Sequence, residues 1–433
     1  MQDTRLIYFP DLLHKIHDFL QARNIPAWLV GGTVRDRLLG KVSSDIDLVI
    51  RAGEGMIDEL ASFLEGVKVD FAKGEMVRLV VGKGENKFNV DVEFLKEEDI
   101  RDNLGRRDFT INSMAWALDD RKEEDKVLDP AGGREDLERS IIRAVKKEVF
   151  FRDPVRILRA FRLAANLGFV IEEKTKRWLK ESTAEVNWEK VPGERIWKEL
   201  GEILGFPDSA STLKDMEEAG VLSSLLKVSR YELDFELLTA LERLIQDEVI
   251  GGLLAKAVRK RDMVAAFKLG VILSRVRDRD AAERVCNFLR MSGREKDLVL
   301  SVSRFDIDIW PQGSMGAVDK RRFVYENKEY APLLFLFASA SLIVRKEVDF
   351  KYCKSYIADF LRFYVEEGSF WFKLPRYIDG KEVMAILDLK PSPRVGKVLQ
   401  RVAEAEIEGR ITSREEARRF VERMKYAGDE LRD

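Results

Sequence analysis

The residues best suited to do chemistry in this 433-residue chain stand close together near its start. Asp45 and Asp47 flank one isoleucine in the run Asp45-Ile-Asp-Leu-Val-Ile50, which reads as a β-strand. Side chains two apart on a strand leave it on the same face, so both carboxylates project together. Two hard oxygen donors so placed suit Mg2+, and two such ions can clamp the attacking and leaving oxygens of an in-line phosphoryl transfer. Just upstream, Ala27-Trp-Leu-Val30 predicts a short strand ending at Gly31-Gly32. The missing side chains let backbone amides approach a ligand closely. A helix predicted from about Thr33 to a glycine stop at Gly40 turns its N-terminus to the same place, which favours a phosphate. A lone Gly-Gly or a lone Asp-x-Asp is usually structural; their order and spacing here favour nucleotide chemistry.

A second cluster lies at residues 152–162, Arg-Asp-Pro-Val-Arg-Ile-Leu-Arg-Ala-Phe-Arg. Asp153-Pro154 has the form of a helix start, an N-cap aspartate followed by proline at the first helical position. Arg156, Arg159 and Arg162 then recur at intervals of three, with Leu158, Phe161 and Ala165 on the buried side. The arginines suit base stacking or phosphate contact.

The elements that must position these residues change character along the chain. Up to about residue 140, short β-type runs (27–30, 45–50, 78–81 and 88–94) alternate with helical stretches, and a glycine-rich turn spans 82–86. Beyond that point helical periodicity takes over, and the remaining two thirds read as all-helical. Breaks at Gly205-Phe-Pro207, Trp310-Pro-Gln-Gly313 and Leu374-Pro375 offer subdivision points. The aromatics Phe335, Phe337, Phe360, Phe363 and Tyr364 read as core.

Lysine plus arginine number 75 and aspartate plus glutamate 77, a net charge of −2, which argues against a chain that coats itself in nucleic acid through bulk charge. The distribution is uneven. Residues 45–99 carry 14 acidic and seven basic side chains, residues 143–162 two and seven, and residues 373–401 three and seven. An acidic segment for metal ions beside basic segments for phosphates is one reading; ordinary solvated helix faces are the other.

Counting excludes several classes. Two cysteines, Cys286 and Cys353, allow no disulfide scaffold and no cysteine-based zinc site. The two histidines, His14 and His17, both sit in an amphipathic N-terminal stretch, so histidine-dependent hydrolase chemistry downstream is excluded. No signal peptide and no uninterrupted apolar run of transmembrane length is present, so a cytoplasmic protein without a membrane partner is expected.

The glycine–aspartate signature Gly31-Gly32-x-Val34-Arg35-Asp36-x-Leu38-Leu39-Gly40…Asp45-x-Asp47 resembles that of class II tRNA nucleotidyltransferases and bacterial poly(A) polymerases, of the polymerase-beta-type superfamily. Four further stretches resemble the same family in order: Arg106-Arg107-Asp108-Phe109-Thr110-Ile111-Asn112, Asp129-Pro-Ala-Gly132-Gly133-Arg-Glu-Asp136-Leu137, Phe151-Arg152-Asp153-Pro154-Val155-Arg156 with its continuation to Arg162, and Gly193-Glu194-Arg195-Ile196. The resemblance implies an α+β fold: a nucleotidyltransferase head over 1–140, then an all-helical neck (141–205), body (206–310) and tail (311–433).

It also implies roles. Asp45 and Asp47 would bind Mg2+, with Asp91, or Glu93 in its place, as a third carboxylate. Gly31, Gly32, Arg35 and Asp36 would shape a triphosphate pocket, and Arg106, Arg107, Asp108 and Asn112 would hold the incoming nucleotide. Asp153 and Arg156 would read the base, the carboxylate accepting from an exocyclic amine and the guanidinium donating to ring acceptors, which admits cytosine and adenine and refuses uracil and guanine. Arg159 and Arg162 would assist. The family commonly has Glu before this aspartate, and here Arg152 stands there. A weaker resemblance at 378–399 suggests Arg394 and Lys397 as tRNA-phosphate contacts.

Between Lys96 and Arg106 only nine residues intervene, where members that complete the whole CCA end carry a longer flexible loop. The short connection is similar to members that add CC and leave the final A to a separate A-adding enzyme. The expected reaction is therefore addition of C, or of the full CCA, to the tRNA acceptor arm from CTP and ATP. The alternatives are an A-adding enzyme, a poly(A) polymerase and, in another class, an inactive RNA-binding protein.

Overall fold

The computed structural model describes the chain except residues 1–4, 42–44, 54, 72–75, 83–86, 97, 119–126, 259–261, 308–314 and 427–433. Most of the turn at 82–86 and the break at 310–313 lie outside the described residues. The chain forms two compact units, Met1–Leu200 with Asp215–Leu225, and Gly201–Lys214 with Leu226–Asp433.

The first unit holds a mixed seven-stranded sheet. Its strands are β1 (Ala27–Val30), β2 (Asp45–Ile50), β3 (Val67–Phe71), β4 (Met76–Val81), β5 (Phe88–Phe94), β6 (Ala115–Ala117) and β7 (Val127–Leu128), in spatial order β3-β4-β5-β2-β1-β6-β7. Only β2 and β5 run parallel; the remaining pairs are antiparallel. The alternation in Val67-Lys-Val-Asp-Phe71 makes β3 an edge strand that the sequence reading did not include. Ile46, Leu48, Val49 and Ile50 of β2 and Val90 and Val92 of β5 are fully buried, as central strands require.

Helix α1 (Arg5–Gln21) buries Leu12, Leu13, Ile16, Phe19 and Leu20, the stripe its periodicity predicts. Helix α2 (Gly31–Leu38) begins two residues earlier than expected, directly at the end of β1. Gly31 takes the left-handed φ of 62°, a turn abrupt enough to need no linker. The expected stop holds: Gly40 follows the helix, also left-handed at φ 68°.

Past residue 140 helices dominate, with one exception to the all-helical expectation. Strands β8 (Ile141–Ile142) and β9 (Val170–Ile171) form a small parallel pair. Helices α3 (Gly55–Phe63), α4 (Ile100–Leu104), α5 (Gly133–Glu138), α6 (Val149–Arg152), α7 (Val155–Leu167), α8 (Glu173–Glu185) and α9 (Gly193–Leu204) complete the elements that bear on the site.

The second unit is helical throughout its described residues. The helix Ala331–Val344 is apolar all round and buried over most of its length. Phe335 stacks on Phe360 with ring centroids 3.9 Å apart, and Phe337 and Tyr364 are buried too, so these four are core as expected, while Phe363 is only half-buried. Helices Gly380–Leu387, Pro393–Ile407 and Arg414–Tyr426 enclose a separate apolar cluster around Val383, Val398, Val402 and Val421.

Candidate active site

Strand register brings the acidic residues together. In the parallel β2–β5 pair Asp45 faces Asn89, Asp47 faces Asp91, and Val49 faces Glu93. Asp91 is thus the carboxylate directly beside Asp47, and Glu93 lies one step along the same face. The antiparallel β4–β5 pair sets Arg78 opposite Asp91. Arg78 donates to both oxygens of Asp91, Nε to Oδ1 and Nη2 to Oδ2, each at 2.6 Å. Glu93 is held by Asn103 (2.7 Å) and Arg107 (3.2 Å).

The turn from β1 into α2 closes on the same place because Leu29 pairs with Leu48. A Cβ at Gly31 would lie 2.8 Å from Asp47 Oδ2, so only glycine lets the chain pass. The Gly32 amide donates to Asp47 Oδ2 at 3.0 Å. That amide therefore orients a carboxylate, a use different from the open phosphate cradle expected of it. Thr33, which the sequence reading passed over, accepts from the Asp47 amide (2.7 Å) and donates to the Asp45 carbonyl (3.3 Å), stitching α2 to β2. Asn89 donates to Asp45 Oδ1 at 2.8 Å. Burial pushes the Asp47 carboxyl above its ordinary value; Arg107 and the Gly32 amide pull it down, while Asp91 and Asp45 push it further up. Burial and the neighbouring carboxylates thus disfavour the charged form of Asp47, and Arg107 offsets them in part.

The donor set fits a hard divalent ion. Asp45 and Asp47 are carboxylates two apart on one strand face, which suits Mg2+ with its preference for few protein ligands and retained waters. Among the described residues no group of three or more His, Cys, Asp or Glu side chains is arranged to hold a metal, so the fit is to the pair.

Arg35 bridges two motifs, pairing with Asp36 (2.8 Å) and donating to Asn112 Oδ1 (2.8 Å). Asn112 in turn donates to Asp108 Oδ1 at 3.1 Å. Asp108 is buried and also receives the Phe109 amide (2.8 Å) and Arg159 Nη1 (3.1 Å). Burial works to raise its carboxyl, but Arg159, Asn112, Arg156 and the Phe109 amide together hold it below its ordinary value. Arg106 is exposed, and its carbonyl accepts from Arg156 Nη1 at 3.0 Å. Arg107 Nε is buried with no hydrogen-bond partner.

Helix α7 begins at Val155, one residue later than predicted: Pro154 stands at its N-cap, and Asp153 closes α6 as its C-cap. Asp153 Oδ2 accepts from Arg195 at 2.7 Å, while Oδ1 is buried and unpartnered. Arg156 Nε, 4.0 Å from Asp153 Oδ2, is likewise buried without a hydrogen bond. Burial lowers the Arg156 guanidinium from its ordinary value, against the pull of Asp108 and Asp153. A buried acceptor and a buried donor left open one helical turn apart are what a planar ligand with complementary edges would satisfy.

Arg159 and Arg162 differ from expectation. Both donate to Glu199 of α9, Arg159 to Oε1 at 3.1 Å and Arg162 to Oε2 at 2.5 Å. Burial lowers the Arg159 guanidinium, but Asp108 and Glu199 outweigh it and the net shift is upward. These two arginines fasten α7 to α9 and to Asp108. Glu199 and Arg78 carry no local signal, because their partners are 37–40 and 13 residues away; Arg195 lies in the motif-like stretch Gly193–Ile196, but its pairing with Asp153 42 residues away does not show in that stretch. Asp136, part of the third motif-like stretch, is buried and accepts from Thr110 (2.6 Å) and Arg143 (2.9 Å), and so fixes the turn carrying Asn112. Arg394 and Lys397 are exposed at the start of helix Pro393–Ile407, in the second unit.

Among the described residues no helix is long and apolar enough to cross a membrane. Residues 27–143 match the family model described as the poly A polymerase head domain, and residues 168–231 the model of a probable RNA and SrmB-binding site of polymerase A. The chain is 29% identical to an A-adding tRNA nucleotidyltransferase of Deinococcus radiodurans, over 92% of this chain and 95% of that protein. It is 28% identical to a CC-adding tRNA nucleotidyltransferase of Geobacter sulfurreducens, over 91% of each. Among solved structures, a CCA-adding enzyme in complex with CTP aligns with a TM-score of 0.64 at 25% identity, covering 98% of this chain and 96% of that one.

Proposed function

Because this chain belongs to the family of class II tRNA nucleotidyltransferases and bacterial poly(A) polymerases, we propose that it adds C residues to the 3′ end of tRNA from CTP, ending at CC. In this reading residues 1–140 are the catalytic head, 141–205 a neck that reads the base, 206–310 a body, and 311–433 a tail whose Arg394 and Lys397 contact tRNA phosphates. The terminal ribose hydroxyl of the acceptor arm attacks the α-phosphate of CTP, and pyrophosphate leaves. Asp45 and Asp47 would hold Mg2+, which supplies positive charge to the reacting phosphates when bound. Arg35, Asp36, Arg106, Arg107 and Asn112 hold the nucleotide, with Asp108 and Arg159 keeping that turn in place. Asp153 Oδ1 accepts the exocyclic amine of the base and Arg156 donates to the adjacent ring acceptors.

The observation that carries the nucleotide reading is the open Asp153–Arg156 pair, two buried and unpartnered polar atoms one helical turn apart. What supports CC over CCA is the connection after β5. Within this short connection helix α4 (Ile100–Leu104), capped by Asp99, occupies five residues, which leaves no room for a long loop. A full CCA-adding, A-adding or poly(A)-adding activity is the second reading, since relatives named for A addition and for CC addition are equally similar to this chain.

The test is incubation with tRNA lacking its 3′ end, with CTP and ATP given separately and together, followed by sequencing of the products. Ends of CC with CTP, unchanged by ATP, are expected. Complete CCA ends overturn the CC reading, and ATP use on tRNA ending in CC without CTP use assigns the chain to A addition.

A further inference from the structure

Arg78 is the unexpected member of the acidic face. Register sets it in one transverse row with Asp91 and Asp47, on three adjacent strands. Both Asp91 oxygens accept from its guanidinium at 2.6 Å, the parallel two-point geometry that makes such pairs strong and directional. The pair is sheltered, with the Asp91 side chain 14% exposed and Arg78 31% exposed. The same guanidinium lies within electrostatic reach of Asp45 and Asp47. A carboxylate whose two oxygens are engaged in this way offers a metal ion little, in keeping with the absence of a three-ligand group among the described residues.

We infer that Arg78 is an internal cation that occupies Asp91, so that divalent metal is held by Asp45 and Asp47 and its affinity is set by competition with Arg78. Arg78 is a positioning residue in this account: it acts on the metal site through Asp91. It partly neutralises three neighbouring carboxylates while no metal is bound, and it keeps the bound ion weakly held and exchangeable. The inference rests on the proposal that Asp45 and Asp47 bind metal.

The experiment measures Mn2+ binding by calorimetry and the Mn2+-dependent rise in Tm for the full chain and its Arg78→Gln, Arg78→Lys, Arg78→Gln/Asp91→Asn and Asp47→Asn variants. Freeing a carboxylate from one charge-assisted pair corresponds to about a tenfold gain. Arg78→Gln is therefore expected to bind Mn2+ about tenfold more tightly and to gain more Tm from it. Arg78→Lys, which keeps the charge but loses the two-point geometry, falls between, and the double variant returns to the parent affinity because Asp91 is no longer there to join the site. If Arg78→Gln does not fold, Arg78→Lys carries the comparison. Unchanged or weaker Mn2+ binding in the Arg78 variants, or a double variant as tight as Arg78→Gln, overturns the inference. Parent binding that Asp47→Asn leaves intact overturns instead the assignment of the metal to Asp45 and Asp47.

Discussion

A Cβ placed on Gly133 would stand 2.2 Å from the carbonyl oxygen of Thr110. The first residue of α5 thus packs directly on the backbone of the turn Thr110–Asn112, and Asp129 fixes that end of α5 by accepting from the amides of Gly133 (2.7 Å) and Arg134 (2.9 Å). Gly133→Ala must push the turn away and is expected to cost about 3 kcal/mol. Urea unfolding measures that loss, and nucleotide affinity should fall with it because Asn112 rides on the displaced turn. A fully stable variant would show that the contact relaxes freely.

If Asp45 holds the metal as proposed, removing its carboxylate should abolish chemistry without loosening the RNA. Asp45→Asn keeps the shape of an exposed side chain and removes its charge. A loss of about a thousandfold in CTP incorporation is expected, equal to several kcal/mol of transition-state stabilisation. Binding of tRNA, followed by filter retention, should stay within about twofold. Undiminished incorporation would take Asp45 out of the reaction, whereas no incorporation by the parent itself would favour the inactive RNA-binding alternative.

The open pair on α7 predicts a change of selectivity. Asp153→Ala removes the acceptor for an exocyclic amine, so CTP should lose about tenfold to a hundredfold of its advantage over UTP, in line with one or two lost base hydrogen bonds. Competition between labelled nucleotides reads the ratio directly. An unchanged ratio with uniformly lower activity would mean that Asp153 serves only Arg195 and the fold.

Acid sensitivity should trace to Asp108. Its folded carboxyl lies below its ordinary value, so the stability it contributes is complete above the unfolded value near pH 4 and is lost as pH falls through the lower folded value. The stability difference between the parent and Asp108→Asn should therefore be constant from neutral pH to about pH 4 and shrink below it. Urea midpoints across that range decide the matter; a difference that grows on acidification contradicts the assignment.

In the second unit Lys268, buried at 2% exposure, donates to Glu242 (2.6 Å), the Phe206 carbonyl (2.7 Å) and Ser209 Oγ (3.2 Å). Lys268→Met strands the Glu242 charge and should cost about 3–5 kcal/mol. Adding Glu242→Gln removes that charge while keeping one acceptor oxygen, enough for the Ser209 amide but not also for the Ala210 amide, and should recover part of the loss. Independent, additive losses would show that the pair is not coupled.

The acidic strand and the arginine helix were legible in the sequence because each is local. Asp45 and Asp47 share a face by the two-residue period of a strand, and Asp153-Pro154 marks the start of a helix to within one residue. Which of Asp91 and Glu93 lies beside Asp47 was not legible, since both sit on the same strand face; the parallel register of β2 with β5 sets Asp91 there. Tertiary structure also decided the roles of the other charges. A guanidinium near a carboxylate in space can be far from it in sequence, so the pairing of Arg78 with Asp91, of Arg159 and Arg162 with Glu199, and of Arg195 with Asp153 appears only when strands register and helices pack. Period and local geometry are written in neighbouring residues, whereas which charges meet depends on how distant elements come together.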